Sequence, residues 1–169
     1  TGASLKGIEL SVQAPFTFLP GFLSRFGGIA NATFVDSSAD YRVAGPAVVP
    51  GGGTVSSVRN ATLFGLSKRA FNGTIYYEDA KFSARVSASY RSGYIDQNSG
   101  TGNVFEGYNS TINVDASMRY KLTDWIELSL EGINLTDDYR DRYTDLDANR
   151  NYEQLHYGRT IQLGARFKM

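Results

Sequence analysis

The feature that most constrains this chain is a strict two-residue alternation between Phe82 and Arg91. In the stretch FSARVSASYR the even-numbered positions are apolar or aromatic, and the odd-numbered positions are polar. Successive side chains of a β-strand point to opposite faces, so this segment would have one wholly apolar face and one wholly polar face. The alternation therefore predicts a half-buried strand.

The same alternation recurs along the chain. It is clear over residues 112–122, 126–131 and 160–169, and weaker around residues 8–12, 30–34 and 71–77. Together with segment 82–91, this gives seven predicted strands. The connections between them alternate in length: short ones lie at 18–23, 78–81 and 123–125, and long ones at 36–65, 92–111 and 137–156. This asymmetry is typical of an up-and-down antiparallel sheet whose two ends face different environments.

Composition excludes several classes of protein. The chain has 17 basic and 17 acidic side chains, so its formal charge of zero gives no general reason to bind nucleic acid. It has no Cys and a single His, which excludes disulfides, thiolate metal sites and the His pairs of most zinc sites. No apolar run approaches the roughly 20 residues of a membrane-spanning helix.

The apolar faces have two possible environments, a second sheet or lipid. The face from Phe82 to Tyr90 carries an aromatic residue at each end and small or branched residues between them. Its eight steps span about 26 Å, or about 20 Å with strand tilt, close to the apolar band of an outer-membrane barrel. Other aromatic residues fall near the short turns (Tyr77, Tyr120, Trp125 and Phe167) or near the long connections (Phe34 and Phe71). Two aromatic girdles of this kind favour a transmembrane β-barrel over a soluble sandwich.

Several segments resemble the C-terminal part of TonB-dependent outer-membrane transporters, particularly a group common in Caulobacter- and Xanthomonas-like bacteria. The resemblance rests on short motifs whose order and spacing cover nearly the whole chain outside the long connections. They are Gly7-Ile8-Glu9, Phe18-Leu19-Pro20-Gly21-Phe22-Leu23, Phe34-Val35-Asp36-Ser37, Gly65-Leu66-Ser67-Lys68, Tyr76-Tyr77-Glu78, Tyr90-Arg91-Ser92, Leu122-Thr123-Asp124, Glu131-Gly132-Ile133-Asn134-Leu135-Thr136-Asp137 and Tyr157-Gly158-Arg159.

Members of that family have a barrel of 22 strands and an N-terminal plug domain with a TonB box. This chain offers seven strands and no plug, and an open sheet in lipid would leave two edges of unpaired backbone groups. An eighth strand would have to come from Tyr41 to Arg59, which Pro46, Pro50 and Gly51-Gly52-Gly53 mark as a loop. Residues 1–169 are therefore predicted to be a single partial barrel domain, the last third of a larger barrel.

The C-terminal residues fit a further motif of such barrels. Gln162, Gly164, Phe167 and Met169 follow the polar-x-Gly-x-x-apolar-x-apolar pattern by which the barrel-assembly machinery recognises a terminal strand. The family usually ends in an aromatic residue, whereas this chain ends in Met169. The alternative is an ordinary edge strand.

The resemblance implies active nutrient uptake across the outer membrane of a Gram-negative bacterium. The implied partners are lipid and lipopolysaccharide, the remaining barrel and plug, a TonB-type energy-transducing protein and the barrel-assembly machinery. Within this group a carbohydrate ligand is favoured, and a ferric siderophore or haem receptor is the alternative. A passive porin or adhesin barrel and a soluble β-sandwich lectin are the other hypotheses, and no cofactor is expected.

Candidate ligand contacts are aromatic and basic residues in or beside the long connections. Such side chains can stack on and hydrogen-bond a sugar, or surround an anionic chelate. The candidates are Arg91, Tyr94, Tyr108, Tyr139, Arg140, Arg142, Tyr143 and Tyr152. The alternative is that these residues are ordinary aromatic side chains of the interface and outer loops.

Two further patterns bear on chemistry. Asp145, Asp147 and Asn149 place oxygen ligands at alternate positions, like the opening of a calcium loop. However, Arg150 and His156 stand where an EF-hand needs Gly and Glu, so a solvated acidic loop is the competing interpretation. No catalytic constellation is evident, because His156 has no convincing Ser partner and Gly51-Gly52-Gly53 lacks the Lys-Ser/Thr of a phosphate loop. The chain is not expected to be an enzyme.

Overall fold

The computed structural model describes residues 2–47, 54–98 and 105–168. One short 3-10 helix, Gly21–Arg25, lies between the first two strands. The strands are β1 (Ala3–Pro15), β2 (Phe26–Ala47), β3 (Thr54–Ala61), β4 (Arg69–Glu78), β5 (Phe82–Arg91), β6 (Tyr94–Asn98), β7 (Phe105–Tyr108), β8 (Thr111–Lys121), β9 (Ile126–Ile133), β10 (Arg140–Thr144), β11 (Arg150–Leu155) and β12 (Thr160–Phe167). Within the described ranges no helix is long and apolar enough to cross a membrane.

The strands form a large sheet and a small one. Among the described residues, the large sheet follows the order β1-β2-β4-β5-β8-β9-β12, and β3 pairs with β2 beside this path. Each strand of the path overlaps one of the segments predicted as strands, and all its pairings are antiparallel. The small sheet has the order β11-β10-β7-β6.

The register separates the large sheet into an apolar face and a polar face. Residues directly opposite one another share a face, so the pairings extend the alternation of each strand across the sheet. One apolar row runs Leu10, Ala32, Phe71, Tyr90, Ile112. The neighbouring polar row runs Ser11, Asn31, Asn72, Ser89, Asn113. The predicted two-faced sheet is confirmed.

No layer of the described protein covers the apolar face. Leu10 is 60% exposed, Ile75 59% and Leu163 82%. Exposure of many large apolar side chains on one contiguous face indicates a surface that contacts something other than water.

Aromatic rings border the apolar face at both ends. Near the long connections, Phe71 lies 5.5 Å from Phe34 and 5.8 Å from Tyr90, measured between ring centroids. We call these three residues the upper belt. Near the short turns, Tyr77 lies 5.0 Å from Phe26 and 6.0 Å from Phe82. The residues assigned from the sequence to opposite girdles therefore lie at opposite ends of the face.

The buried core lies where the small sheet packs against the extension of β2 beyond the large sheet. Ser37, Ala39 and Val43 are buried, and the residues between them along this extension are half-buried or exposed. Val43 packs with Ile95 of β6 and Phe105 of β7. The odd-numbered side chains of β2 belong to the polar face, so the small sheet folds over that face at the long-connection end.

The prediction that Tyr41 to Arg59 forms a loop was wrong. Tyr41 to Ala44 continue β2 and pair with Ser56 to Arg59 of β3. Pro46 falls at the register shift between Ala44 and Ala47, where the ladder does not require its missing N–H. Pro50 and the Gly51-Gly52-Gly53 run lie outside the described residues.

The other two long connections also contain more structure than expected. Segment 92–111 includes β6 and β7, and segment 137–156 includes β10 and β11. Their strands pair with one another and not with the large sheet. Six of the eight ligand candidates are therefore placed by the small sheet, whereas Arg91 ends β5 of the large sheet and Tyr139 precedes β10.

Candidate ligand site at the long-connection end

Strand register places three of the eight predicted ligand residues in one row. Tyr94 of β6 stands opposite Tyr108 of β7, which stands opposite Arg142 of β10. The two Tyr rings lie 5.2 Å apart between centroids. Two pairings that the sequence cannot reveal therefore place Tyr94 and Arg142, which are 48 positions apart, on either side of Tyr108.

Guanidinium groups stack on these rings. The Cζ atom of Arg91 lies 4.0 Å from the centroid of Tyr94, and that of Arg140 lies 4.3 Å from the centroid of Tyr108. Arg142 lies 5.7 Å from Tyr108 and 5.0 Å from Tyr152. These distances are within the range of cation–π attraction. Arg91, Tyr94, Tyr108, Arg140, Arg142 and Tyr152 thus form one continuous series of contacts.

A cavity of about 340 Å³ opens beside this series on the polar face. Thr111 and Asn113 of β8 form part of its wall, and Thr111 stands opposite Arg91 in the register. Six predicted or neighbouring aromatic and basic residues also line it: Arg91, Tyr94, Tyr108, Tyr139, Arg140 and Tyr157. We call it the luminal cavity.

The cations of the luminal cavity have neutral partners. Arg91 donates from Nε to Ser67 Oγ at 2.6 Å and from Nη2 to the Gly65 carbonyl at 2.7 Å. Arg140 donates to the Tyr108 hydroxyl. Within ranges 2–47, 54–98 and 105–168, neither guanidinium has a carboxylate oxygen within 4.0 Å. Neither Arg therefore forms an ion pair with the described residues, and the two guanidinium groups outnumber the one carboxylate of the cavity, Asp138, which suits an anionic ligand.

The Asp138 carboxylate, which lines the same cavity, accepts hydrogen bonds from backbone N–H groups. Asp138 accepts from the Ile112 N–H through Oδ2 and from the Tyr139 N–H at 2.9 Å through Oδ1. These bonds hold the last residues of the β9–β10 connection against the start of β8. Asp138 thus positions Tyr139, which is 40% exposed and lies 6.0 Å from the His156 ring.

Arg142 differs from the other two candidate Arg residues. Its Nη2 donates to Glu106 Oε2 at 3.0 Å, and the two side chains are 19% and 3% exposed. Gln97 Nε2 donates to the same carboxylate oxygen at 3.1 Å. Arg142 therefore belongs to a largely buried ion pair that ties β10 to β7. The sequence does not indicate Glu106 as the partner, because it lies 36 residues before Arg142 and no local pattern links the two segments.

Tyr143 is also placed by packing. It is 5% exposed, and burial raises the pKa of its hydroxyl. A Cβ atom added at Gly107 would lie 2.5 Å from the Tyr143 hydroxyl oxygen and 2.2 Å from the Tyr94 carbonyl oxygen. Gly107 thus lets the Tyr143 ring lie against β7, opposite Gly107 in the register. Tyr143 is therefore not a member of the series of stacked Arg and Tyr side chains.

Asn134 organises the end of β9. Its Nδ2 donates to the carbonyls of Asp138 at 2.9 Å and Gly158 at 3.1 Å, and its Oδ1 accepts from the Asp138 N–H at 2.9 Å. Its φ of 54° is in the left-handed region, which Asn tolerates better than most residues. Asn134, the first residue of the motif Asn134-Leu135-Thr136-Asp137, therefore links the last residues of β9 to the segment before β12 and to the connection that carries Tyr139.

The segment that resembles a calcium loop forms the turn between β10 and β11. Asp145 Oδ1 accepts from the N–H groups of Asp147 and Ala148 at 3.2 and 3.3 Å, and Oδ2 accepts from Arg150 Nε at 3.2 Å. The Arg150 bond and the amides hold the pKa of Asp145 below its usual range. Asp147 faces Arg59 at 3.9 Å. No group of three or more His, Cys, Asp or Glu side chains is placed to hold a metal among the described residues. Calcium binding with Asn149 stays a prediction.

The predicted assembly signal lies on β12. Gln162 stands opposite Glu131, Gly164 opposite Ser129, and Phe167 opposite Ile126. Phe167 is 65% exposed on the apolar face, and a Cβ at position 164 would lie 2.5 Å from Ser129 Oγ. Met169 lies outside the described residues. Recognition of this strand by assembly machinery stays a prediction.

His156 does not line the luminal cavity, although its neighbour Tyr157 does. Its Nε2 is 3.2 Å from Asp137 Oδ1, and its side chain is 58% exposed. Arg159 Nη2 lies 3.7 Å from the other oxygen of the same carboxylate. The arrangement is a surface cluster that bridges the two ends of the β9–β12 connection.

Comparison with solved structures finds a similar fold in the crystal structure of the siderophore receptor PiuA from Acinetobacter baumannii. The TM-score is 0.66 at 17% sequence identity, and the match covers 98% of this chain and 22% of that chain. This chain thus spans less than a quarter of that receptor. No protein-family model matches the sequence, and no curated protein matches it. At this identity the likeness shows the fold alone, and the predicted all-β, antiparallel barrel segment is confirmed.

Proposed function

We propose that this chain is a C-terminal part of the barrel wall of a TonB-dependent transporter in a bacterial outer membrane. The observation that carries the proposal is the uncovered apolar face between two aromatic borders, on a sheet that matches part of a receptor fold over 98% of the chain. Lipid is the environment in which such a face is stable, since every second residue then contacts hydrocarbon.

The open edges of the large sheet support a larger barrel. Among the described strands, β1 pairs only with β2, and β12 pairs only with β9. Unpaired N–H and C=O groups are costly in lipid, so both edges need neighbouring strands. The remaining barrel would supply these strands, and a plug domain would receive the pull of the TonB-type protein.

The ligand that we propose is an anionic ferric chelate. The sequence resemblance favoured a carbohydrate, but Arg91 and Arg140 bring two positive charges without a carboxylate partner among the described residues into one aromatic cavity. A neutral sugar would not require both charges, whereas a chelate would neutralise them. The name of PiuA as a siderophore receptor is consistent with this choice. In this proposal the long connections of the chain bind the chelate, and the large sheet forms part of the barrel wall along which the chelate passes.

Uptake by intact cells tests the proposal. We would compare accumulation of a radiolabelled ferric tris-catecholate chelate and of a maltooligosaccharide in cells with and without the full-length gene. Chelate uptake that requires both the gene and the inner-membrane energy transducer is expected. Gene-dependent uptake that continues without the transducer would instead indicate a passive porin. Gene-dependent uptake of the sugar alone would overturn the choice of ligand and leave active transport in place.

A further inference from the structure

A second cavity, of about 630 Å³, adjoins the luminal cavity. The two cavities share four lining residues: Ser92, Tyr94, Tyr108 and Asn109. The Tyr94 and Tyr108 rings, 5.2 Å apart between centroids, therefore border both cavities. We call the second cavity the basic compartment, and the two cavities together form one cleft.

The walls of the basic compartment come from separate long connections. Asn60 lies on β3, and Leu146 and Asn149 lie in the turn between β10 and β11. These two segments meet where Arg59 Nη1 lies 3.9 Å from Asp147 Oδ2. The compartment is therefore built at the same end of the sheet as the luminal cavity.

The basic compartment is lined by two cations, Lys68 and Arg69, and by no described carboxylate. Within ranges 2–47, 54–98 and 105–168, no carboxylate oxygen lies within 4.0 Å of either side chain. The luminal cavity, by contrast, combines two Arg side chains with the Asp138 carboxylate. The excess of positive charge is therefore larger in the basic compartment, and a cleft lined by one sign of charge attracts groups of the opposite sign.

Basic residues of the two cavities lie on the neighbouring strands β4 and β5. The Arg69 N–H donates to Ser92 Oγ at 3.1 Å, and the Arg69 carbonyl accepts from the Ser92 N–H at 2.9 Å. Arg91, which lines the luminal cavity, directly precedes Ser92. Neighbouring strands lie about 4.8 Å apart and an extended chain advances about 3.3 Å per residue, so an arm of about two or three residues can extend from one cavity into the other.

The size of the cleft favours a ligand larger than a single chelate centre. The luminal cavity, at about 340 Å³, is near the lower end of the roughly 300–1,000 Å³ range of small-molecule sites. With the basic compartment added, the site comes close to the upper end of that range.

Uncharged polar side chains accompany the two cations. The basic compartment is also lined by three Asn residues: Asn60, Asn109 and Asn149. An Asn side chain both donates and accepts hydrogen bonds, which is the pattern that complements peptide groups. The lining therefore fits an amide-containing arm that ends in a negative charge.

We propose that the basic compartment is a subsite for a peptide-like arm of the transported ligand that carries a carboxylate. The metal centre of the chelate occupies the luminal cavity near Arg91 and Arg140, and the carboxylate of the arm contacts Lys68 and Arg69. The inference rests on the proposed uptake of an anionic ferric chelate, and it narrows that ligand to chelates with a second, separately charged group.

Three synthetic chelates with the same ferric tris-catecholate centre test the subsite on the full-length protein in detergent. One has no arm, one carries a Gly-Gly-Asp arm, and one carries an uncharged Gly-Gly-Asn-amide arm. Fluorescence quenching gives the dissociation constants. We expect the wild type to bind the acidic-arm chelate about tenfold more tightly than the other two, the equivalent of one charge-assisted hydrogen bond.

Charge variants test the residues of the subsite. Lys68→Ala/Arg69→Ala is expected to lose the tenfold preference and to keep the wild-type affinity for the armless chelate. The control Lys81→Ala/Lys121→Ala removes the same charge at the short-turn end and is expected to keep the preference. Lys68→Glu/Arg69→Glu is expected to reverse it, so that a Gly-Gly-Lys-amide arm binds more tightly than the acidic arm. A general structural defect would not produce this reversal.

The outcomes separate this inference from the proposed function. Equal wild-type affinity for the acidic and uncharged arms would overturn the subsite, and this comparison needs no variant to fold. A preference that survives in Lys68→Ala/Arg69→Ala would overturn it as well. Either result, together with binding of the armless chelate, leaves the uptake proposal standing. Absence of binding by all the chelates would overturn the proposed ligand and the subsite together.

Discussion

Arg142 and Glu106 form a largely buried ion pair, with 3.0 Å between Nη2 and Oε2, that joins β10 to β7 across the small sheet. Tyr108, which stands opposite Arg142 in the register, lies between this pair and the luminal cavity. The ion pair therefore holds together β7 and β10, the strands that carry Tyr108 and Arg140, and does not itself line the luminal cavity. Its role is to keep these two cavity residues in place relative to each other.

Breaking this pair is expected to unfold the small sheet more easily. Arg142→Ala leaves the Glu106 carboxylate buried without its cation, and such changes cost about 3–5 kcal/mol. Arg150→Ala is the matched control, because its ion pair with Asp145 is exposed and worth about 1 kcal/mol or less. The stability of both variants is measured on the full-length protein in increasing denaturant, with proteolytic cleavage of the long connections as the signal of unfolding. Equal effects of the two variants would contradict the structural role of Glu106.

The luminal cavity predicts a charge-dependent affinity. Arg140→Gln removes a cation that the described residues do not neutralise, and is expected to weaken the ferric chelate about tenfold to a hundredfold. Arg119→Gln is the control, since Arg119 lies on the polar face near the short turns, opposite Ser83. Fluorescence quenching by the chelate gives both dissociation constants. An unchanged affinity in Arg140→Gln would remove this cavity from the binding site.

Asp79 predicts an acid-sensitive turn. Its carboxylate accepts from the N–H groups of Lys81 and Phe82 and from the Tyr77 hydroxyl, each at 2.8 Å, and these bonds with Arg25 lower its pKa from 3.8 to about 2. Because the folded-state pKa lies below the unfolded value, this contribution to stability is complete above about pH 4. It is lost as the pH falls toward 2.

The corresponding measurement compares unfolding midpoints at pH 5 and pH 3. Wild type is expected to lose stability between these two values, and Asp79→Asn is expected to be less stable at pH 5 and to lose less on acidification. Asp124→Asn, in the neighbouring short turn, is the control and should keep the wild-type pH dependence. A wild-type pH dependence in Asp79→Asn would exclude this carboxylate as the source.

Asn134 predicts a local effect on the connection that holds Tyr139. Asn134→Ala removes four side-chain hydrogen bonds, two with Asp138 and one each with Gly158 and Thr136, and it places Ala in a left-handed conformation that it adopts poorly. We expect faster hydrogen exchange at the Asp138 and Tyr139 amides, with little change in the large sheet. Asn113→Ala, on the polar face of β8, should leave these amides unchanged. Slow exchange in Asn134→Ala would show that the backbone alone holds the turn.

The sequence predicts the large sheet well because lipid and water impose period-two alternation on every strand. It predicts the small sheet poorly for a physical reason. Phe105 to Tyr108 are all buried, whereas Arg150 to Leu155 are all exposed, so neither strand alternates. The β2–β3 hairpin was missed because Pro46 reads as a loop signal, although it occupies a bulge.

The same limit applies to the candidate site. Aromatic and basic residues in long connections indicate a binding surface, but their individual roles depend on register. Tyr143 is buried by its contact with Gly107, and Arg142 is paired with Glu106, while Arg140 faces the luminal cavity. These three residues lie within four positions and have similar local sequence. Their partners come from β7, which only the folded chain identifies.

The most direct test of the central claim is the environment of alternate residues on β5. The chain contains no Cys, so a spin label can be attached at Val86→Cys or Ser87→Cys in the full-length protein, after any other Cys is replaced, in phospholipid vesicles. Electron paramagnetic resonance then measures collisions with oxygen, which concentrates in lipid, and with a water-soluble nickel chelate. If the apolar face contacts lipid, position 86 will show high oxygen and low nickel accessibility, and position 87 will show the reverse preference. High nickel accessibility at position 86 would show that the apolar face does not contact lipid, and the chain would then not be part of a membrane barrel wall.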